Sequence, residues 1–306
     1  PAKGERILKL AVAIAEKEFG RAHPITMRGK VQLASHLKHP DPKGARAMLD
    51  EVITDARKQL PETARTLQDA LSSKGFIMSK TSPSDETYAV LKDSVLVAET
   101  YLGPNSEFAI QNLGLLANTY GTYGDRREQL VLATETLRRA EAAFANQRPN
   151  RALLAAERFY AAALRSNDRP KEAIPILRRV QDDQRKLDFA ETGRVRYAMH
   201  ELGLALAAAG ELGEAIDVQK RVVEFEAVQN PYESDNRVIA GVPLVNSLLT
   251  VRRLAEVEEL EKRLAAVQQR IGNEPPGREY ARLNRRALLL SLQGQIGRAS
   301  CRERVF

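Results

Sequence analysis

Apolar residues return along most of this chain at intervals of three and four, the spacing that lays one stripe along an α-helix. The clearest case is ELGLALAAAGELGEAIDVQKRVV (201–223), where one apolar run ends at Gly210 and a second starts with Ala215, five residues on. LLANTYGTYGDRREQLVLATETL (115–137) has the same order, with Leu116, Ala117, Tyr120 and Gly124 in corresponding places. In FYAAALRSNDRPKEAIPILRRV (159–180), Asp168 replaces the glycine and Ala173 takes the alanine slot. PLVNSLLTVRRLAEVEELEKRL (243–264) has Val257 in that slot, and RRALLLSLQGQ (285–295) opens a further unit with Ala287, Leu290 and Gly294.

Helix starts are expected near Pro24, Pro61, Asn105, Pro149, Ala190, Asp235 and Arg278, a period of about 42 residues. Each unit then reads as two antiparallel helices, A and B, joined by a short turn. Small residues at the A-helix crossing (Ala117, Ala161, Gly203, Ala287) allow close approach. One such hairpin cannot cover its own apolar seam, but stacked hairpins can. Punctuation supports these boundaries. NDRP (167–170) puts Pro170 at a helix start, where its missing N–H costs nothing. SPSDE (82–86) places acidic residues at a helix N-terminus, and DFAE (188–191) has capping-box spacing. NPYESD (230–235) and NEPPG (273–277) are further breaks. Lys80 falls in an apolar slot, which makes the second unit, near 61–103, the weakest.

Composition narrows the function. Hydrophobic residues make up 43% and aromatics 5%, without tryptophan, which suits helices packed through small side chains. The sequence offers neither a membrane span nor a signal peptide, and it opens on Pro1 rather than methionine, as a piece of something longer would. A formal charge of +7 invites a nucleic-acid reading. Residues 296–306 supply +2 of it, and the rest is spread over mixed faces such as EVEELEKRLAAVQQR (256–270). Stacking aromatics are scarce, so a nucleic-acid-binding solenoid ranks last.

Candidate chemistry is thin. His36 and His39 share the spacing of a metal pair, but no acid or third histidine completes a site, and no metal or cofactor is expected. His23, before Pro24, suits a turn or cap. GELG (210–213) lacks the Lys-Ser/Thr of a phosphate loop, and neither the kinase set, GxSxG nor His-Glu-x-x-His occurs. The chain is therefore expected not to be an enzyme.

The Leu-Gly, Ala and Gly spacing resembles a tetratricopeptide repeat. The long period, with lead-ins EKEFGRAHP (16–24) and YLGPNS (101–106), is similar to the kinesin-light-chain type. Gln129 and Val257 at the alanine position depart from the pattern. The resemblance implies an all-α, right-handed α-solenoid of about six and a half helix pairs over 1–295. It further implies a non-catalytic scaffold whose A helices line a groove for a peptide or partner protein. Carried over position by position, it places Gln111, Asn118, Arg158, Arg165, Tyr197, His200 and Asn246 in that groove. The arginines favour an acidic partner. Such repeats also occur beside Ser/Thr kinase or winged-helix domains of bacterial signalling proteins, so a regulatory region of such a protein is the alternative reading. A cytoplasmic location is expected, and the lack of cysteine before the tail fits the periplasm equally.

The last stretch, IGRASCRERVF (296–306), follows none of these patterns and holds the single cysteine, Cys301. IGRASCRERV resembles a translated sequencing-adaptor read-through. Natural sequence is then expected to end near Gln295, inside the seventh unit, leaving Leu288, Leu289, Leu290 and Leu292 as an uncovered seam through which copies could self-associate.

Overall fold

The computed structural model describes residues 2–38, 41–81, 84–188, 193–229, 235–272 and 276–294. These form fourteen α-helices, one short 3-10 turn and no strand. The chain divides into two compact units between Asn167 and Asp168. The first holds α1 (Ala2–Phe19), α2 (Pro24–Leu37), α3 (Pro42–Arg57), α4 (Ala64–Thr81), α5 (Asp85–Leu102), α6 (Glu107–Thr122), α7 (Arg126–Phe144) and α8 (Arg151–Ser166). The second holds α9 (Pro170–Asp188), α10 (Gly193–Ala208), α11 (Leu212–Gln229), α12 (Asp235–Thr250), α13 (Leu254–Ile271) and α14 (Pro276–Leu292).

Local chemistry explains where these helices begin. His23 caps α2 through Nδ1, which accepts from the Ile25 N–H at 3.3 Å, and Pro24 fills the first turn. Asp125 accepts from Glu128 N–H at 3.0 Å and Asn150 from Ala152 N–H at 2.9 Å, each satisfying a helix-start donor. Ser84 and Thr87 form a capping box ahead of Asp85 and Glu86, and α9 opens on Pro170.

The turns from A to B recur as a conformation. Gly124, Asp168, Gly210, Arg252 and Gly294 all have positive φ, at 95°, 58°, 85°, 58° and 69°. The last four stand 42 residues apart. This left-handed residue follows α6, α8, α10, α12 and α14, and glycine adopts it without strain. Asp168 had shown itself as a substitute in the sequence; Arg252 is a second.

Within each unit every helix packs on a sequence neighbour, and even-numbered helices also touch their next-but-one neighbours: α2 on α4, α4 on α6, α6 on α8, and α10 on α12. The even helices are the A helices, so they form the more crowded layer. The alanine slots lie where the helices meet. Ala173, Ala215 and Val257 are fully buried. The larger Gln129 also fits, because a Cβ on the facing Gly121 would overlap its amide.

Several expectations shift. Pro61 lies in a turn and α4 starts at Ala64, while α6 and α8 start two residues after Asn105 and Pro149, behind the caps Ser106 and Asn150. Lys80 is exposed, and Ile77 and Met78 take the buried positions of its helix. The α14 leucines divide: Leu289 and Leu292 pack into the cluster of Leu260 and Leu264, whereas Leu288 is half exposed. Ala287, expected at a crossing, is exposed. His39, most of DFAE, NPYES and the tail from Gln295 lie outside the described residues.

Candidate functional site

In the first unit, α2, α4, α6 and α8 enclose a groove of about 560 Å³. Its lining follows the repeat. Ser35, Ser72, Leu115 and Phe159 occupy one register position on the four helices, 37, 43 and 44 residues apart. Gln32, Asp69 and Asn112 hold a second, three residues earlier. One helical stripe, repeated four times, thus builds a continuous wall.

The floor is made of amides. Gln68 and Asn112 are buried, at 3% and 2% exposure. Gln68 Nε2 donates to Asn112 Oδ1 at 3.2 Å, and Asn112 Nδ2 donates to the Ser94 carbonyl at 3.1 Å. Gln111 lies on the rim and donates to Glu107 at 2.9 Å. The apolar part comes from Leu115, Phe108 and Phe159. Phe159 leans on Gly114, where a Cβ would overlap the ring, so glycine is what lets that aromatic lie against α6. Guanidinium groups cover both rings: Arg65 stands 3.5 Å from the Phe108 centroid and Arg158 4.7 Å from that of Phe159.

One carboxylate lines the groove. Asp69 accepts from Arg65 Nε at 3.1 Å. Burial nevertheless pushes its carboxyl above the ordinary 3.8, outweighing the charge of Arg65 and the hydrogen bond from it. A smaller recess of about 220 Å³ adjoins through Ser35, Ser72, Ser73 and Leu115, and also includes Lys38 and Phe76. Lys38 Nζ lies 5.1 Å from the Phe76 ring centre, and Lys80 Nζ lies 6.0 Å from it.

Of the residues singled out by the sequence, Gln111 and Arg158 line this groove together. Asn118 and Arg165, one and two turns further along α6 and α8, do not line it. Tyr197, His200 and Asn246 belong to the second unit. Tyr197 is half exposed, with the Arg196 guanidinium 3.9 Å from its ring centre; His200 is partly buried on the same helix, and Asn246 is exposed on α12. A cleft of about 270 Å³ in that unit runs between α13 and α14, and none of the three lines it. Its walls carry the ion pairs Glu258–Lys262 and Glu261–Arg285, at 3.0 and 2.8 Å. Sequence reading missed Gln32, Gln68, Asp69 and Phe108. Carrying the register of Gln111 back by the 43-residue step reaches Gln68.

Among the described residues, no group of three or more His, Cys, Asp or Glu side chains is placed to hold a metal ion. No described helix is long and apolar enough to cross a membrane.

No family model matches the chain, and no curated protein matches it. Solved structures do. A Podosopora anserina putative kinesin light chain with nearly identical TPR-like repeats matches at 20% identity and TM-score 0.52, over 69% of this chain and 99% of that one. BtubC (BKLC) from P. vanneervenii matches at 14% identity and TM-score 0.58, over 75% and 92%. A Rap protein complexed with competence and sporulation factor matches at 15% identity and TM-score 0.60, over 80% of this chain and 65% of that one. With its helix pairs, its left-handed turn residue recurring at 42 residues and these structural neighbours, the chain has the fold of a tetratricopeptide-like helical repeat.

Proposed function

We propose that this chain is a non-catalytic binding scaffold that takes an extended peptide, or an exposed segment of a partner protein, in the groove of α2, α4, α6 and α8. The observation that carries this is the repeated lining of that groove. Stripes on α2, α4 and α6 present amides and hydroxyls (Gln32, Ser35, Gln68, Gln111, Asn112) from recurring register positions, and Phe108 on α6 and Phe159 on α8 add apolar rings. An extended chain needs both donors and acceptors along its length, and primary amides supply both. The aromatic rings, each covered by a guanidinium, offer apolar contact for side chains. Arg65, Arg158 and Lys38 outnumber Asp69 among the lining charges, which supports a partner carrying acidic groups. The Rap neighbour, solved in complex with competence and sporulation factor, is consistent with a binding role for this fold.

The test is selection of a random-peptide display library on the immobilised chain. Enriched peptides should lose at least about tenfold in affinity on the Gln111→Ala/Arg158→Ala double variant, roughly the effect of one lost charge-assisted hydrogen bond. Enriched peptides that bind this variant as well as the wild type would move the binding surface elsewhere.

A further inference from the structure

The recess beside the groove is lined by hydroxyls and a cation, and by no carboxylate. Ser35 on α2 and Ser72 and Ser73 on α4 line both it and the groove, so a peptide lying in the groove crosses its mouth. Other helical hydroxyls of this unit turn back on their own backbone: Ser79 donates to the Phe76 carbonyl and Ser94 to that of Leu91, each at 2.8 Å. Ser35, Ser72 and Ser73 make no such bond among the described residues, and all three are partly exposed, so their donors are open to a ligand.

The lysines of the same two helices divide in a similar way. Lys30 of α2 reaches Glu16 and Glu51, and Lys74 of α4 reaches Asp50 and Glu86, all carboxylates of odd-numbered helices. Lys38, just past α2, and Lys80, near the end of α4, have no carboxylate among the described residues. Both ammonium groups stand by the Phe76 ring instead, at 5.1 and 6.0 Å from its centre. The groove's own acid, Asp69, does not line the recess and is held by Arg65 at 3.1 Å.

Open hydroxyl donors and an unneutralised ammonium, set beside the apolar Phe76, Ile77 and Leu115, complement an anion carried on a short apolar stem. A carboxylate offers two oxygens and one charge. A phosphate monoester offers three terminal oxygens and roughly two charges at neutral pH, which suits donors arriving from two helices around a volume of about 220 Å³. We infer that this recess is a subsite for the phosphate of a phosphoserine or phosphothreonine in the peptide bound in the groove. The inference rests on the peptide-groove reading above and adds to it the chemical class of one peptide position. Ser35, Ser72 and Ser73 donate to the phosphate oxygens, Lys38 neutralises their charge, and Lys80 adds attraction from beside the same ring.

The experiment takes the groove-dependent peptides of the display selection and places serine, glutamate or phosphoserine at each position in turn. Each peptide is titrated by calorimetry against the intact chain. At one aligned position phosphoserine should bind at least about tenfold tighter than serine, and glutamate no more than about threefold tighter. The phosphoserine gain should vanish on Lys38→Gln, shrink on the Ser72→Ala/Ser73→Ala double variant and survive on Lys38→Arg. The serine peptide should bind all three variants as it binds the wild type, and circular dichroism confirms that they fold. A glutamate gain equal to that of phosphoserine would assign the recess to carboxylates and overturn the inference. A phosphoserine gain that persists on Lys38→Gln would place the phosphate elsewhere and overturn it too. Peptides that need Gln111 and Arg158 but gain nothing from phosphoserine at any position would overturn it and leave the groove reading standing. Failure to enrich any groove-dependent peptide would sink both.

Discussion

Asn112→Ala tests the floor of the groove from its stability side. The substitution removes two hydrogen bonds, from Gln68 Nε2 at 3.2 Å and to the Ser94 carbonyl at 3.1 Å. Each contributes about 1 kcal/mol net, and the Gln68 amide left buried without its acceptor costs about 1–3 kcal/mol more. The expected destabilisation is about 2–4 kcal/mol, large against the margin of any domain. Gln68→Ala should cost less, because Asn112 keeps its bond to Ser94. In the double variant no Gln68 amide is left buried without its acceptor, so a double-mutant cycle should return a coupling of about 1–2 kcal/mol. Urea unfolding reports on this unit through tyrosine fluorescence, since Tyr88 and Tyr120 stack there at 4.5 Å. Hydrogen exchange in α4 and α6 localises the change. A loss below about 0.5 kcal/mol with additive single variants would show that the amide chain is not formed in solution.

Other consequences follow from charge and backbone. Because burial raises the Asp69 pKa, the folded chain holds that proton more tightly than the unfolded one. Stability should therefore fall as pH rises from 3.8 through the folded value, while Asp69→Asn shows no such fall in a pH series of melts. Glu135 behaves oppositely: hydrogen bonds from Arg138 and then Arg139 lower it from 4.5 to about 2. Its contribution is present above pH 4.5 and lost as pH falls through about 2, so Glu135→Gln should cost less than about 1 kcal/mol at neutral pH and nothing at the acid end. Arg252→Gly relieves a non-glycine residue at φ 58° and should raise stability by about 0.5–1 kcal/mol in thermal melts; a lower Tm would contradict the turn assignment.

The sequence carried the architecture because its signals are local. Pro24 marks a helix start through its own ring geometry, and the turns at Gly124 and Gly210 need only a left-handed residue. Arg252 escaped notice because nothing in arginine announces positive φ; only its 42-residue distance from Gly210 does. The groove was half legible. Gln111 and Arg158 followed from the register of α6 and α8, but Asn118 and Arg165 lie further along the same helices than the groove extends. Where a groove ends depends on how the helices pack side by side, which no single helix encodes. The Gln68–Asn112 pair was illegible for the same reason: its residues stand 44 apart, and either amide alone reads as an ordinary polar side chain.

The decisive measurement is photo-crosslinking of an enriched peptide to the intact chain, followed by mapping of the attached residues. Crosslinks should gather on the groove stripes of α4, α6 and α8, around Ser72, Gln111 and Arg158, and disappear with excess unlabelled peptide. Crosslinks gathered instead around exposed Leu96 and Val131, on α5 and α7, would place recognition on the odd-numbered helices and contradict a groove-binding scaffold.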